Sequence, residues 1–190
     1  EVARALGQVT TRWDGKGIPA DVEGEQISRP LRIVRVAHDV VAMAQARDGY
    51  LWLGTLNGLA RFDGNRFEVF TEWNTPGLIS SKIVRLFADR QGGLWVGAGG
   101  GGANFIKEGR VTKLDLGGGP GAEIAAICED VTGAVWLYTV DGRLARCRNG
   151  VVEKVWPVSP GFSICRAVIS DSSGQIWIGN DASLFRIVSD

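Results

Sequence analysis

Tryptophan recurs at nearly equal intervals along this chain, and that interval constrains the fold more than any other feature. The repeating residues are Trp52, Trp95, Trp136 and Trp177, which are separated by 43, 41 and 41 residues. A period of about 40–50 residues is typical of arrays whose units cannot bury their faces alone and therefore stack on one another. The spacing predicts a series of small sheets packed side by side.

The sequence around each tryptophan repeats as well. A glycine stands three positions before it, at Gly49, Gly92, Gly133 and Gly174. An aspartate stands six positions before it at Asp89, Asp130 and Asp171, and the first unit has Ala46 there. In an Asp-x-x-Gly turn the carboxylate accepts backbone N–H groups and the glycine supplies a positive φ. Each unit is therefore predicted to contain a hairpin whose second strand carries the tryptophan.

Each unit contains several segments with a strand pattern. The first strands are predicted at 40–44, 83–88, 124–129 and 165–170, and each second strand is centred on the tryptophan. The third strands are predicted at 59–62, 103–106, 143–146 and 184–188, and the fourth at 67–70, 111–116 and 151–156. Short antiparallel strands without a helical period predict an all-β β-propeller with four repeats of a four-stranded blade. The repeated tryptophans should fill the space between neighbouring blades.

The predicted domain organisation is a lead-in followed by four blades. The lead-in covers residues 1–37, and the propeller covers 38–190, with blades at about 38–78, 79–121, 122–162 and 163–190. Residues 8–13 have the length of one strand, which could complete the fourth blade and remove an open edge. Uncovered terminal blades would expose apolar faces, so we expect ring closure, self-association or further blades in a longer protein.

Charge and composition exclude several classes of function. Lysine plus arginine number 21 and aspartate plus glutamate number 21, a balance that argues against nucleic-acid binding. No apolar run approaches the roughly 18–20 residues of a membrane-spanning helix. The three cysteines, Cys128, Cys147 and Cys165, lie in apolar strand patterns without metal-ligand spacing. We expect them to be buried, reduced packing residues.

Motifs that would carry chemistry are weak in this chain. The segment GAGGGG at 97–102 has the G-x-G-x-x-G spacing, but a hairpin pattern follows it, so no helix N-terminus is available for a phosphate. The Asp-x-x-Gly turns lack the carboxylate density of a calcium site. His38 is the one histidine, and its neighbour Asp39 would point to the opposite side of a strand. We expect no catalytic centre, metal or cofactor; a propeller-type lyase acting on a glycan or small molecule is the alternative.

Binding residues are expected at one end of the propeller. The loops that join second to third strands, and one blade to the next, lie together around the entrance of the central channel. This predicted loop face contains His38, Asn57, Trp73, Asn74, Asp141, Trp156, Asn180 and Asp181. Arg85 and Arg166 lie within innermost strands and could point into the channel. A sugar or small polar ligand would use such groups, although the simpler interpretation of each is an ordinary loop residue or a solvated arginine.

Two segments resemble a known family. The segment DGYLWLGTLNGLARFDGNRFEVF at 48–70 resembles the two-component regulator propeller repeat. The segment NTPGLISSKIVRLFADRQGGLWVG at 74–97 resembles the passage from one blade of that family to the next, with Gly77-Leu78 at the junction. The later units depart from the pattern at Tyr138, where a glycine is expected, and at Ser183-Leu184, where the family has Gly-Leu.

The resemblance implies a location and a function. Such repeats form the periplasmic sensor region of hybrid histidine kinases and related regulators, with seven blades in full-length relatives. The resemblance therefore implies a non-catalytic module, periplasmic or otherwise extracytoplasmic, that senses an unknown small molecule, a glycan or a protein partner. The kinase would lie outside this chain. A structural protein-interaction scaffold is the alternative of a different class.

Overall fold

The computed structural model describes residues 40–117, 122–157, 165–181 and 183–187. All regular elements in these ranges are β-strands, and they form four antiparallel sheets. The prediction of an all-β propeller with four repeats is confirmed. We number the sheets as blades 1 to 4 in chain order.

Within each blade the strands follow one another in space as they do in sequence. Blade 1 contains β1 (Val40–Gln45), β2 (Leu51–Thr55), β3 (Gly58–Phe62) and β4 (Phe67–Phe70). Blade 2 contains β5 (Ile83–Ala88), β6 (Leu94–Ala98), β7 (Ala103–Lys107) and β8 (Arg110–Leu114). Blade 3 contains β9 (Ile124–Glu129), β10 (Val135–Thr139), β11 (Arg143–Arg148) and β12 (Val151–Pro157). Blade 4 contains three described strands, β13 (Ala167–Ser170), β14 (Ile176–Gly179) and β15 (Leu184–Ile187).

The hydrophobic core lies between the blades. Side chains alternate along each strand, so every blade has two faces. We call the face that carries the repeated tryptophan the forward face and the opposite face the rear face. The forward face of blade 2, with Trp95 and Phe105, packs on the rear face of blade 3, with Val135 and Leu137. Equivalent clusters join blade 1 to blade 2 and blade 3 to blade 4.

The repeated tryptophans belong to these clusters wherever a following blade is described. Trp52, Trp95 and Trp136 are 6%, 0% and 4% exposed. Each ring also packs on an aromatic ring of its own blade; Trp95, for example, lies 4.6 Å from Phe105 between ring centroids. Trp177 is only half-buried.

The second strand of one blade and the first strand of the next approach very closely at two interfaces. A Cβ atom on Gly54 would lie 2.7 Å from Cγ2 of Ile83, and one on Gly97 would lie 2.9 Å from Cβ of Ile124. The interface between blades 3 and 4 reverses the sizes of the two residues. Tyr138 occupies the glycine position, and both it and Cys165, which takes the place of the isoleucine, are buried in one cluster.

The three cysteines are free thiols, and all three are buried, as the sequence predicted. Burial raises the pKa of Cys128 and that of Cys147 to about 12. Burial also raises the pKa of Cys165. The thiols therefore act as small apolar packing groups.

Other predictions fall outside the ranges given above. His38 and the strand expected at 8–13 are not among the described residues, and the blade boundaries stay predictions. In the part of the chain that the structure describes, no helix has the length and apolar character needed to cross a membrane.

Candidate functional site

The Asp-x-x-Gly turns hold the tryptophans, and their carboxylates are fully used in doing so. Oδ2 of Asp89, Asp130 and Asp171 accepts the indole N–H of its own blade, at 2.8 Å in each case. Oδ1 of the same carboxylate accepts two backbone N–H groups of the turn; for Asp89 they are those of Gln91 and Gly93. We call this arrangement the indole clasp.

Hydrogen bonding lowers the pKa of two clasp carboxylates, those of Asp130 and Asp171. The indole N–H of Trp177, followed by the Ser173 hydroxyl, lowers the pKa of Asp171 to about 2. Burial raises the pKa of Asp130, but hydrogen bonds from Thr132 and Trp136 outweigh it, so the pKa lies below its ordinary value. In both residues, hydrogen bonds to the ionised carboxylate favour that form and so lower the pKa. Among the described residues, no three His, Cys, Asp or Glu side chains are grouped to hold a metal.

The charged residues predicted for the loop face are engaged with the protein itself. Arg85, in β5, donates from Nε to the Ala125 carbonyl at 2.9 Å and so links blades 2 and 3. Asp141 accepts the Thr139 hydroxyl at 2.6 Å and pairs with Arg143 in the turn between β10 and β11.

A second ion pair lies at the start of blade 4. Arg166 pairs with Asp181 at 2.6 Å, and this hydrogen bond raises the pKa of Arg166 and lowers that of Asp181. Asp181 lies in the turn between β14 and β15, next to Asn180. Trp156 lies within β12, and its ring stacks on Trp136 with centroids 5.5 Å apart. Its position therefore serves the packing of blade 3.

Among the described residues of the predicted loop face, the loop between β4 and β5 presents a large side chain that has no hydrogen-bond or ring-contact partner within the protein, Trp73. Trp73 is 88% exposed. The backbone that carries it is fixed by its neighbour Asn74, whose Oδ1 accepts the Thr71 N–H at 2.7 Å and whose Nδ2 donates to the Val69 carbonyl at 2.9 Å. An exposed indole thus stands on an ordered support, which we call the Trp73 loop (residues 71–82).

Two further contacts brace the Trp73 loop. Glu72 Oε2 accepts the Ser81 N–H at 3.0 Å, while the Ser81 hydroxyl accepts the Glu72 N–H at 3.2 Å. Asn104, which is fully buried in β7, accepts the Ile79 N–H at 2.9 Å and donates to the Gly77 carbonyl at 2.9 Å. Sequence reasoning missed Asn104 and Glu72, although a polar Asn104 within an apolar strand pattern was an available signal.

Apolar residues also lie at the tips of two of the turns that join second to third strands. Leu56, beside Asn57 in the turn between β2 and β3, is 54% exposed, and Val140 in the turn between β10 and β11 is 64% exposed. The turn of Leu56 lies beside the Trp73 loop, since a Cβ atom on Gly58 at its end would lie 3.1 Å from the Phe70 carbonyl oxygen and 3.5 Å from Thr71 Cγ2. Sequence reasoning missed Leu56 and Val140 because it looked for polar groups.

The glycine-rich segment 97–102 does not form an anion cradle. The N–H groups of Gly99 and Gly102 donate to the Lys82 and Ala122 carbonyls at 2.7 and 3.0 Å. The Gly100 N–H donates to a carboxylate oxygen of Glu123 at 3.2 Å. A phosphate at this place would meet occupied donors and a negative charge. This agrees with the expectation that the segment is a turn.

A shallow groove lies away from the loop face. It has a volume of about 510 Å³ and is lined by 113–115 of blade 2 and 150–155 of blade 3. Its lining mixes Lys113 and Lys154 with Asp115 and Glu153, and no residue predicted for the loop face borders it. It lies along the outermost strands, where the channel of a propeller does not reach.

Comparison with solved structures identifies the class of protein as a β-propeller. The chain matches virginiamycin B lyase from Staphylococcus aureus with a TM-score of 0.65 at 15% identity, over 78% of this chain and 52% of the lyase. It matches the WD40 β-propeller domain of Doa1 with a TM-score of 0.56 at 14% identity, over 75% and 48%. At these identities the likeness shows the fold alone.

The family profile of the two component regulator propeller matches residues 36–57 and 77–100. The resemblance drawn from the sequence is confirmed. The extracellular domain of a hybrid two component system from B. thetaiotaomicron matches with a TM-score of 0.60 at 22% identity, over 80% of this chain and 22% of that domain. The chain therefore spans about half of the lyase and a smaller part of the sensor domain. No curated protein matches the sequence.

Proposed function

We propose that this chain is a non-catalytic sensing module of a bacterial two-component signalling receptor that acts outside the cytoplasm. The observation that carries the proposal is the exposed indole of Trp73 on a rigid loop of a two component regulator propeller. The likeness to the extracellular domain of a hybrid two component system supports the location and the role. The lyase reaction is not proposed, because the family profile that matches the chain is that of the two component regulator propeller.

We propose a glycan or other small polar molecule as the ligand of the Trp73 loop. An indole offers a flat apolar surface, and the Asn57 amide and Glu72 carboxylate lie at the same end of blade 1. Because hydrogen bonds already fix the loop, little conformational entropy is lost when a ligand binds. Arg85, Asp141, Arg166, Asp181 and the Asn74 amide bind neighbouring protein groups, so recognition falls on the indole and the Asn57 amide.

Signalling would then proceed through the stacked blades. Binding at the loop face stabilises one arrangement of the module, and a neighbouring part of the receptor senses that arrangement as a rigid-body change. The apolar clusters between blades support this route, since packed interfaces move as units and do not deform continuously. The kinase lies elsewhere in the receptor.

A glycan microarray with the purified chain tests this proposal. We expect binding to at least one oligosaccharide, and a loss of at least tenfold in affinity for Trp73→Ala. Val131→Ala is the matched control, because Val131 is 53% exposed in a turn at the opposite end of the blades. No binding to any glycan, or equal binding by Trp73→Ala, would refute the glycan proposal. A scaffold function would then be favoured.

A further inference from the structure

A buried amide interrupts the apolar repeat in blade 2. Asn104 lies opposite Val96, and the same position in the other blades is held by apolar residues, Ala60, Ala145 and Phe185. Asn104 is 0% exposed. Burying an amide is unfavourable unless its donors and its acceptor are hydrogen-bonded. Since three blades form with an apolar residue at this position, the fold of a blade does not require the amide, and the reason for it lies in its partners.

The Trp73 loop supplies the closest partners of this amide. Oδ1 of Asn104 accepts the Ile79 N–H at 2.9 Å, and Nδ2 donates to the Gly77 carbonyl at 2.9 Å. Within its own blade the amide makes one longer hydrogen bond, from Nδ2 to the Thr112 carbonyl at 3.3 Å. The two bonds to the loop lie on either side of Leu78, which is buried. Asn104 thus ties a buried stretch of the Trp73 loop to β7.

The middle of the Trp73 loop depends on this one side chain. In the part of the chain that the structure describes, Asn104 is the one side chain from outside the loop that hydrogen-bonds to the loop backbone. The side chains of the loop itself support its two ends. Removal of the amide would leave the Ile79 N–H and the Gly77 carbonyl unpaired beside buried Leu78, at a free-energy cost comparable to a lost hydrogen bond. The middle of the loop would then have to move outward so that water could pair with these groups.

We propose that Asn104 is the positioning residue of the binding site at Trp73: from blade 2 it fixes the loop that follows blade 1 in the conformation that presents the indole. The inference rests on the proposed function of Trp73 and adds to it a route to the next blade. A ligand that prefers the ordered loop also stabilises the bonds between the loop and β7, and by linkage the intact bonds raise the affinity for that ligand. Trp73 makes the contact, and Asn104 fixes the loop that carries it.

Hydrogen exchange at the Ile79 amide tests the positioning role directly and needs no ligand. Asn104→Leu keeps a side chain of similar size but removes every hydrogen-bonding group. We expect the protection of the Ile79 N–H from exchange to fall at least tenfold, because the bond that holds it is lost. Circular dichroism and the urea midpoint report whether the blades remain folded. Unchanged protection in the folded variant would refute the proposal.

Val96→Ala is the matched control. Val96 is 0% exposed and lies opposite Asn104 in the register, so its truncation leaves a cavity in the same part of blade 2 but keeps the amide. Protection of the Ile79 N–H should stay within about twofold of the wild type, because the loop opens locally. An equal loss of protection in Val96→Ala and Asn104→Leu would show general destabilisation of blade 2 and would overturn the positioning role.

Asn104→Asp gives a second, reversible test. A protonated carboxyl can donate to the Gly77 carbonyl and accept the Ile79 N–H as the amide does, whereas an ionised carboxylate cannot donate. Burial raises the pKa of such a carboxyl, so the loop should be ordered at about pH 5 and released at about pH 8. The protection of the Ile79 N–H, relative to its intrinsic exchange rate at each pH, should differ at least tenfold. Asn104→Leu should show no recovery at low pH, and a lack of recovery in Asn104→Asp would contradict the assigned bonds.

The glycan microarray separates this inference from the proposed function. Asn104→Leu should lose affinity for the array at least tenfold, as Trp73→Ala does, whereas Val96→Ala should bind like the wild type. If the loop loses its protection but Asn104→Leu binds the array unchanged, Asn104 does not position the site and the glycan proposal stands. If the wild-type chain binds no glycan, the glycan proposal fails, and exchange at Ile79 alone decides whether Asn104 fixes the loop.

Discussion

At the scale of the residue, the indole clasp divides the two oxygens of one carboxylate between two tasks. One oxygen closes the turn and the other fixes the tryptophan ring, so a single aspartate sets both the hairpin and the orientation of the largest core side chain. The sequence predicted the turn, since Asp-x-x-Gly is a local pattern. It did not predict the indole bond, because a spacing of six residues alone does not tell where two side chains point.

Blade 1 lacks a clasp because Ala46 stands where the other blades have aspartate. Its turn nevertheless has the same backbone bonds, from Ala46 N–H to the Tyr50 carbonyl and from Gly49 N–H to the Ala46 carbonyl. The Arg61 guanidinium lies over the rings of Tyr50 and Trp52 instead, at 4.3 and 5.7 Å from their centroids. The backbone of this turn is thus already shaped for an aspartate.

We predict that Ala46→Asp stabilises the protein by about 1 kcal/mol, the usual contribution of one intramolecular hydrogen bond. The new carboxylate would accept the Trp52 indole N–H and lie near the Arg61 guanidinium. Thermal unfolding should show a rise in Tm of about 2–4 °C for a chain of this size. Ala46→Leu, which adds volume without an acceptor, should give no gain. An unchanged or lowered Tm for Ala46→Asp would contradict the equivalence of the four turns.

At the scale of the element, neighbouring blades fit by matching a small residue on one strand to a large one on the next. Gly54 faces Ile83 and Gly97 faces Ile124, whereas Tyr138 is matched by the smaller Cys165. The sequence showed Tyr138 as a departure from the repeat. It could not show the compensation, because Cys165 lies 27 residues away and only the packing of blades 3 and 4 brings the two together.

The pair predicts a strong coupling between two substitutions. Tyr138→Gly should cost about 3–5 kcal/mol by leaving a cavity, and Cys165→Ile should cost about 1–3 kcal/mol by overpacking. The double variant restores the glycine–isoleucine match of the other interfaces, so it should be at least about 1 kcal/mol more stable than the sum predicts. Urea unfolding of the four proteins in a double-mutant cycle measures this. Strict additivity would show that the residues do not share a site.

At the scale of the whole molecule, the sequence predicted the features that repeat in every blade and not those that belong to a single loop. The tryptophan period and the strand patterns suffice for the architecture, because every blade repeats the same local signals. The loop face was harder to predict, since position on a loop does not reveal the partners of a side chain. Arg166 and Asp181 are paired with each other, while the apolar Leu56 is exposed. Trp73 was among the predicted residues, but the buried Asn104 that braces its loop was not.

Global unfolding should control the reactivity of all three cysteines. Each thiol is buried, and a pKa of about 12 for Cys128 and Cys147, against an ordinary 9.0, reduces their thiolate about a thousandfold at pH 8. We predict that a disulfide reagent such as DTNB labels no thiol quickly in the native chain and three after denaturation. Rapid native labelling of one thiol would contradict its burial.

The raised pKa values of Cys128 and Cys147 also predict that the folded state loses stability at alkaline pH. Below pH 9 the two thiols are protonated in both folded and unfolded chains, so they do not alter the balance between the states. Above pH 9 the unfolded chain loses protons that the folded chain retains, and stability falls until the pH passes about 12. The DTNB reaction should therefore accelerate steeply over this range as the chain opens.

The indole clasp bears on how such a chain grows by gene duplication. Each clasp joins an aspartate and a tryptophan of the same blade, so a duplicated segment of about 41 residues brings its own anchor with it. The boundary between blades 3 and 4 carries an additional constraint. Because Tyr138 is large, the blade that follows must have a small residue at the position of Cys165. Blade 2, which has both a clasp and a glycine at the place of Tyr138, could be copied without this constraint, whereas the last two blades must be inherited together and in order.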